Sequence, residues 1–408
     1  MHASRLAHLL ALASLALAAA ALHWPVLHTG FWSPEDFQQL EYAARMRSLA
    51  PVDFRPVPGG GYPLNPIFAL EFPLFGLNPR PYYLVNLALH VLNAFLAYLL
   101  VNSLLHDKRS AFMAALLFAL GVGSYGKNLM SFTGASSLAY AMACLLATLL
   151  YVLNEKRNAG RPVGWYAFGF FAILTASLFM RGGTFSIMVS FVFYNFFFRR
   201  ERQRPVLHTS LLICLALAAC GILLRLVHGS GNVVPPGDPG AFVRNLPGYL
   251  ILMAFPLHQS QLLATAPAIV RGIYSLAPYI RVLVGLAILS YSLFGLVFGN
   301  RTVRFYIAWM YVMVVPFAFL RYPSDWLNLR FLYLDSVGFC VILTTGTLYA
   351  YKLLARHRLR RLVPFAIPAF YIFLSAALVM QLHHKSELLS RDSENVQRLA
   401  RITSLLEQ

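Results

Sequence analysis

Apolar runs, interrupted by short basic segments, fill most of this chain. The first, Leu6 to Leu22, follows Arg5, and others occupy roughly 81–105, 110–124, 135–153, 164–180, 183–198, 207–227, 279–298, 304–320, 331–353 and 363–382. A hydrocarbon core about 30 Å thick is crossed by about 20 helical residues, so these runs predict about eleven transmembrane helices. A backbone in lipid has no water to bond, and continuous apolar runs of this kind satisfy it as helices. The expected fold class is therefore an all-α membrane protein.

The first run ends near Ala18-Ala19-Ala20, small residues of the kind found at signal cleavage sites. It is longer than the roughly 7–15 residues of a signal core, which favours a retained helix. Either way, the next segment lies outside the cytoplasm.

The basic clusters set the orientation. They are Lys108-Arg109, Lys156-Arg157 with Arg161, Arg199-Arg200 with Arg202 and Arg204, Arg301 with Arg304, and Arg356 through Arg361. Every second loop carries one, as cytoplasmic loops do under the positive-inside rule. The expectation is a multi-pass protein of the inner (plasma) membrane, with its N-terminus cytoplasmic and its C-terminus extracytoplasmic.

Two long segments then fall on the outer face of a polytopic domain covering 1–382. One is the first extracytoplasmic loop, 25–80. The other, 228–278, begins with the turn-rich stretch Pro235-Pro236-Gly237-Asp238-Pro239-Gly240. It also holds a half-apolar stretch, Tyr249 to Leu263, readable as a surface helix, a re-entrant segment or a span. In the polar tail, 383–408, Leu388, Val396, Leu399, Ile402 and Leu406 recur at helical spacing. This predicts a short amphipathic helix on the outer face.

Composition narrows the class. The chain is 59% hydrophobic and only 12% charged, against about 25% charged in soluble chains, too few to cover a water-exposed surface. The net charge of +18 would suit a nucleic-acid binder, but the basic residues are scattered between apolar runs, so no nucleic acid is expected. Cys144, Cys214, Cys220 and Cys340 all lie in apolar runs without metal spacing and read as packing residues.

The first outer loop opens Phe31-Trp32-Ser33-Pro34-Glu35-Asp36-Phe37. Ser33 suits an N-cap, Pro34 the first helical position, and Glu35 and Asp36 the positive end of the helix dipole. The predicted helix runs to about Leu49. A carboxylate held there, at the membrane boundary, is also placed to accept a proton from a hydroxyl. The later run Gly59-Gly60-Gly61 lacks the GKS/T of a P-loop and reads as a turn.

Asn86, His90 and Asn93 fall at i, i+4 and i+7, on one helix face. Polar groups avoid lipid, so this face should look into the bundle, where interhelical hydrogen bonding and a direct role compete. A metal site there is disfavoured, because His90 has no obvious partner ligands. Arg330 is expected at the outer interface, as a snorkelling anchor or a bidentate phosphate ligand. Asp335 lies about a turn deeper, where it could pair with a basic residue. Lys127, Arg181 and Arg321 also fall at outer ends of spans and would form a positive rim for an anionic headgroup.

Four features together resemble the GT-C superfamily of polytopic glycosyltransferases. They are the acidic pair Glu35-Asp36 after the first span; Arg55-Pro56 with Leu74-Phe75-Gly76-Leu77-Asn78-Pro79 and Tyr83-Leu84-Val85-Asn86-Leu87 through His90 and Asn93; Leu117-Phe118-Ala119-Leu120; and Arg330-Phe331-Leu332-Tyr333-Leu334 with Ser336-Val337-Gly338. The branch they resemble is that of the protein O-mannosyltransferases and the transmembrane half of the tetratricopeptide-repeat O-mannosyltransferases. The resemblance implies a transferase using a polyprenyl-phosphate-linked sugar on the outer face, with Asp36 as catalytic base and Glu35 beside it. Arg55, Asn86, His90, Lys127, Arg181, Arg330 and Asp335 would contact donor or acceptor. The chain departs from that branch at two points. Gly121-Val122 stands where the branch shows His-Pro, and Arg181-Gly182 where it shows Lys-Glu.

Two rival readings remain beside the transferase: a non-catalytic relative that binds lipid-linked sugar or scaffolds an assembly, and a lipid or sugar transporter. Against transport, the spans show no clear inverted repeat. No cofactor motif is present, a divalent metal stays an open option, and the acceptor is unspecified.

Overall fold

A computed structural model describes residues 2–47, 66–121, 126–157, 183–198, 239–254, 277–318, 332–353 and 391–406, with isolated positions between 368 and 390. In chain order the helices are α1 (His2–His23), α2 (Pro34–Arg47), α3 (Pro66–Phe75), α4 (Pro79–Leu105), α5 (Lys108–Leu120), α6 (Gly126–Met130), α7 (Gly134–Arg157), α8 (Gly183–Phe198), α9 (Pro239–Ala254), α10 (Ala277–Phe298), α11 (Arg301–Ala318), α12 (Leu332–Leu353) and α13 (Ser393–Leu406). A 3-10 turn, Trp24–His28, follows α1. No strand occurs among the described residues.

Among the described residues, four stretches are long and apolar enough to cross a membrane: Leu6–His28, Pro79–Leu105, Gly134–Asn154 and Leu332–Lys352. This establishes a multi-pass helical membrane protein but not the expected count of about eleven. Of the run expected at 110–124, the described part forms the 13-residue α5, Lys108–Leu120, and 122–124 lie outside the described residues. The runs expected at 164–180 and 207–227 lie outside the described residues, as does most of 363–382.

Local chemistry explains the α4–α5 hairpin. Asn78 caps α4 by accepting the Arg80 N–H at 3.2 Å, with Pro79 at the first helical position. His106 ends α4 in the left-handed conformation, φ 58°. Asp107 then caps α5 by accepting the Arg109 N–H at 3.0 Å. Two residues thus stop one helix and start the next.

The core lies where α1, α4, α5, α7, α11 and α12 meet. Its α4–α5–α7 part is rich in alanine: Ala94, Ala97, Ala111, Ala114, Ala115, Ala141 and Ala147 are all buried. Lipid tails are as apolar as leucine, so burial alone does not draw membrane helices together. Small residues do, by allowing close backbone approach and dispersion contact. Gly338 is the sharpest case. A β-carbon there would stand 2.7 Å from the Tyr306 carbonyl oxygen of α11, so only glycine permits this α11–α12 approach. Helix α10 shows the opposite pattern, with Val282, Leu283, Leu286, Leu293 and Val297 exposed on an outward apolar face.

The half-apolar stretch of the second outer segment contributes to α9. There Tyr249, Leu252 and Met253 are buried in the main core, while 255–263 lie outside the described residues. Asn245 of α9 donates to the Ala318 carbonyl at 3.0 Å, satisfying the end of α11. The tail forms α13, which packs on α2: Ile402 is buried among Phe37, Leu40, Ala43 and Ala44. Protein, and not lipid alone, therefore covers part of its apolar face.

Candidate functional site

The chain leaving α1 is clamped at three points before α2 begins. The Thr29 hydroxyl donates to Val26 O at 2.7 Å, the Tyr83 hydroxyl of α4 donates to Gly30 O at 2.9 Å, and the Trp32 indole donates to Met130 O at 2.6 Å. These bonds fix the start of α2 against α4 and the α6–α7 turn. Pro34 opens the helix, as expected, but the Ser33 hydroxyl is buried with no hydrogen-bond partner among the described residues. The cap works in reverse. Asp36, three residues on, accepts the Ser33 backbone N–H at 3.4 Å, which is one half of a capping box.

That geometry turns Asp36 inward. It is 0% exposed, and its Oδ1 accepts the Ser131 hydroxyl at 2.6 Å. The Ser131 hydroxyl also meets the Thr133 hydroxyl at 2.7 Å. Asn86 of α4 holds the same turn by donating its amide to Leu129 O at 3.3 Å and Ser131 O at 2.8 Å. Burial is the largest influence on Asp36 and raises its pKa; the Ser131 hydrogen bond opposes it, Glu35 adds repulsion, and the Ser33 and Thr133 backbone lower it again. The result is a carboxyl pushed up to about 7, where it can both take and release a proton near neutrality. Glu35 is only half-buried on the same turn.

Asn86, His90 and Asn93 form one buried face of α4. His90 Nδ1 meets the Tyr333 hydroxyl at 2.8 Å and its Nε2 meets Ala119 O at 3.0 Å. Asn93 donates to Leu138 O at 2.9 Å and to Tyr333 at 3.2 Å. This face therefore ties α4 to α5, α7 and α12. His23, at the end of α1, stands edge-on to His90 with ring centres 5.8 Å apart.

Asp335 is buried in α12, and its Oδ2 has no hydrogen-bond partner among the described residues. Lys127 lies in α6. Arg55, Arg181, Arg321 and Arg330 fall outside the described residues. Among the described residues no three His, Cys, Asp or Glu side chains converge as metal ligands would.

Sequence reasoning did not single out two residues. One is Ser131, whose only signal was a serine-threonine pair at a helix boundary. The other is Glu71 of α3, 7% exposed, with neither carboxylate oxygen hydrogen-bonded among the described residues. Burial alone pushes it up to about 7. A lone carboxylate in the apolar decapeptide Pro66–Phe75 was the available clue.

No protein-family profile and no curated protein matches the chain. Solved structures do. The archaeal oligosaccharyltransferase AglB of Archaeoglobus fulgidus, in complex with an inhibitory peptide and a dolichol-phosphate, superposes with a TM-score of 0.54 at 16% identity, over 93% of this chain and 56% of that one. The A. fulgidus oligosaccharyltransferase complex with Zn and sulfate gives 0.55 at 16% identity, over 90% and 53%. Its apo form gives 0.52 at 14%, over 93% and 56%. The chain thus spans about half the length of these proteins. Over that part it shares the fold of these oligosaccharyltransferases.

Proposed function

We propose that this protein is a membrane glycosyltransferase that moves a sugar from a polyprenyl-phosphate-linked donor to a hydroxyl-bearing acceptor on the extracytoplasmic face. The observation that carries the reading is Asp36: a wholly buried carboxyl poised near neutrality, at the start of a rigidly clamped helix just beyond the first span. The fold shared with an oligosaccharyltransferase, one of whose structures contains dolichol-phosphate, supports a lipid-linked donor.

In the proposed step, Asp36 takes the acceptor hydroxyl proton as the acceptor oxygen bonds to the anomeric carbon. The bond from that carbon to the phosphate oxygen breaks, and polyprenyl phosphate leaves with the electron pair. Arg330, Lys127, Arg181 and Arg55 are the proposed cationic partners of that phosphate, with Glu35 beside the base and Asp335 deeper in the bundle. Asn86 and His90 would support the site by holding the walls. A mannosyl donor, as in the branch the sequence resembles, is the first to try.

Purified full-length protein in nanodiscs, offered a panel of labelled polyprenyl-phosphate sugars, tests this against Asp36→Asn. Transfer or donor hydrolysis lost in the variant supports the proposal. Equal turnover removes Asp36 from the chemistry. Saturable donor binding without turnover would favour the non-catalytic reading, with which the enclosure of Asp36 by Ser131 and Ser33 is also compatible. Sugar-independent lipid movement between leaflets would favour a transporter.

A further inference from the structure

We infer that Ser131 is a positioning residue for Asp36, holding the carboxylate in one rotamer and setting the pH at which it gives up its proton. The inference deepens the function proposed above and rests on Asp36 being the base.

The geometry is closed on every side. The Ser131 hydroxyl has one proton, and Asp36 Oδ1 receives it at 2.6 Å. The Thr133 hydroxyl, 2.7 Å away, can donate in turn to the Ser131 oxygen, so the two hydroxyls form a relay aimed at the carboxylate. The main chain bearing Ser131 cannot drift, because Asn86 binds its carbonyl and that of Leu129 while Trp32 binds that of Met130. Asn86 thereby acts on Asp36 through the turn. A hydrogen bond donated to a carboxylate favours its charged form, which is needed for proton abstraction.

The ionisable neighbours of Asp36 are few. Glu35 lies on its own helix and raises its affinity for a proton. Tyr83 faces it from α4. Glu71 sits on α3, which packs against α2. Arg398 and Arg401 of α13 border a separate cleft of about 300 Å³ with Gln38 and Glu41. None of these donates a hydrogen bond to Asp36 in the described contacts, so the Ser131 hydroxyl is the side-chain donor whose loss should register.

The test reads protonation without needing turnover. Dicyclohexylcarbodiimide modifies protonated buried carboxyls, and peptide mass spectrometry on full-length protein in nanodiscs gives the extent at Asp36 across pH. In the wild type the midpoint is expected near 7. Ser131→Ala should move it up by about one pH unit, since a hydrogen bond to a charged group is worth roughly that much. Ser131→Thr should bring it back. Thr133→Val, which keeps the serine, should move it the same way by less, and guards against a misfolded alanine variant. An unmoved midpoint in both Ser131→Ala and Thr133→Val overturns the inference, as does a threonine variant that shifts like alanine. A base that is not Asp36 would show instead as normal turnover in Asp36→Asn, leaving the labelling midpoints untouched.

Discussion

The polar stripe of α4 and the carboxyls of Asp36 and Glu71 in the first loop are all hidden from solvent, yet they differ in how burial is offset. Asn86, His90 and Asn93 are neutral or neutralisable groups whose nitrogens meet carbonyls and a hydroxyl of the α6–α7 turn, α5, α7 and α12, while the amide oxygens of Asn86 and Asn93 have no hydrogen-bond partner among the described residues. Asp36 and Glu71 carry carboxyls whose charged forms lose hydration. Asp36 recovers part of that through Ser131 and the backbone, and Glu71 recovers none through hydrogen bonds among the described residues. Nitrogens satisfied in this way, with only neutral amide oxygens left unpaired, make the stripe structural. Incomplete compensation leaves a group with a perturbed proton affinity, which is the usual condition of a reactive one.

The comparison breaks or holds first on turnover. If Asp36 is the base, Asp36→Asn should lower the transfer rate by about 10³-fold, typical of a lost general base. Glu71→Gln should change it by a few-fold at most. A Glu71 variant as inactive as the Asp36 variant would erase the distinction between them.

Stability against pH tests the buried carboxyls next. The folded-state pKa of Glu71 is raised from 4.5 to about 7, so the folded protein holds a proton that the unfolded chain has lost within that window. Glu71 should therefore cost the wild type about 3 kcal/mol of stability as pH rises from about 4.5 to 7, and Asp36, raised from 3.8 to about 7, adds a loss of the same sign. Glu71→Gln should remove Glu71's share of this slope, leaving that of Asp36, and raise the thermal midpoint in detergent at alkaline but not acidic pH. An unaltered slope would mean that Glu71 is not buried as described.

The smallest effect belongs to the α4 stripe. Tyr333→Phe deletes the hydroxyl shared by His90 and Asn93, and should cost about 1 kcal/mol, as interhelical hydrogen bonds in membranes do. Turnover should survive. Loss of transfer with an unchanged melting temperature would move the stripe from the structural side of the comparison to the chemical side.

Much of this was readable in the chain. Apolar runs predicted α1, α4, α7 and α12 because a lipid-spanning helix must be apolar over its length. The Ser-Pro-Glu-Asp run marked the start of α2 because helix ends expose unpaired N–H groups to nearby carboxylates. The common face of Asn86, His90 and Asn93 followed from 3.6 residues per turn. These are local properties, fixed within about ten residues.

Folding decided the partners. Asp36 meets Ser131 across 95 positions and His90 meets Tyr333 across 243, separations over which no periodicity carries information. The orphaned side chain of Ser33, the burial of Glu71 and the packing of α13 on α2 are likewise outcomes of how helices approach one another. Sequence fixed which residues each helix presents on a face, through the repeat of the helix itself. Only the approach of neighbouring elements determined what that face would touch, and only the burial and contacts of α2 and α3 determined how far their carboxyls would hold a proton.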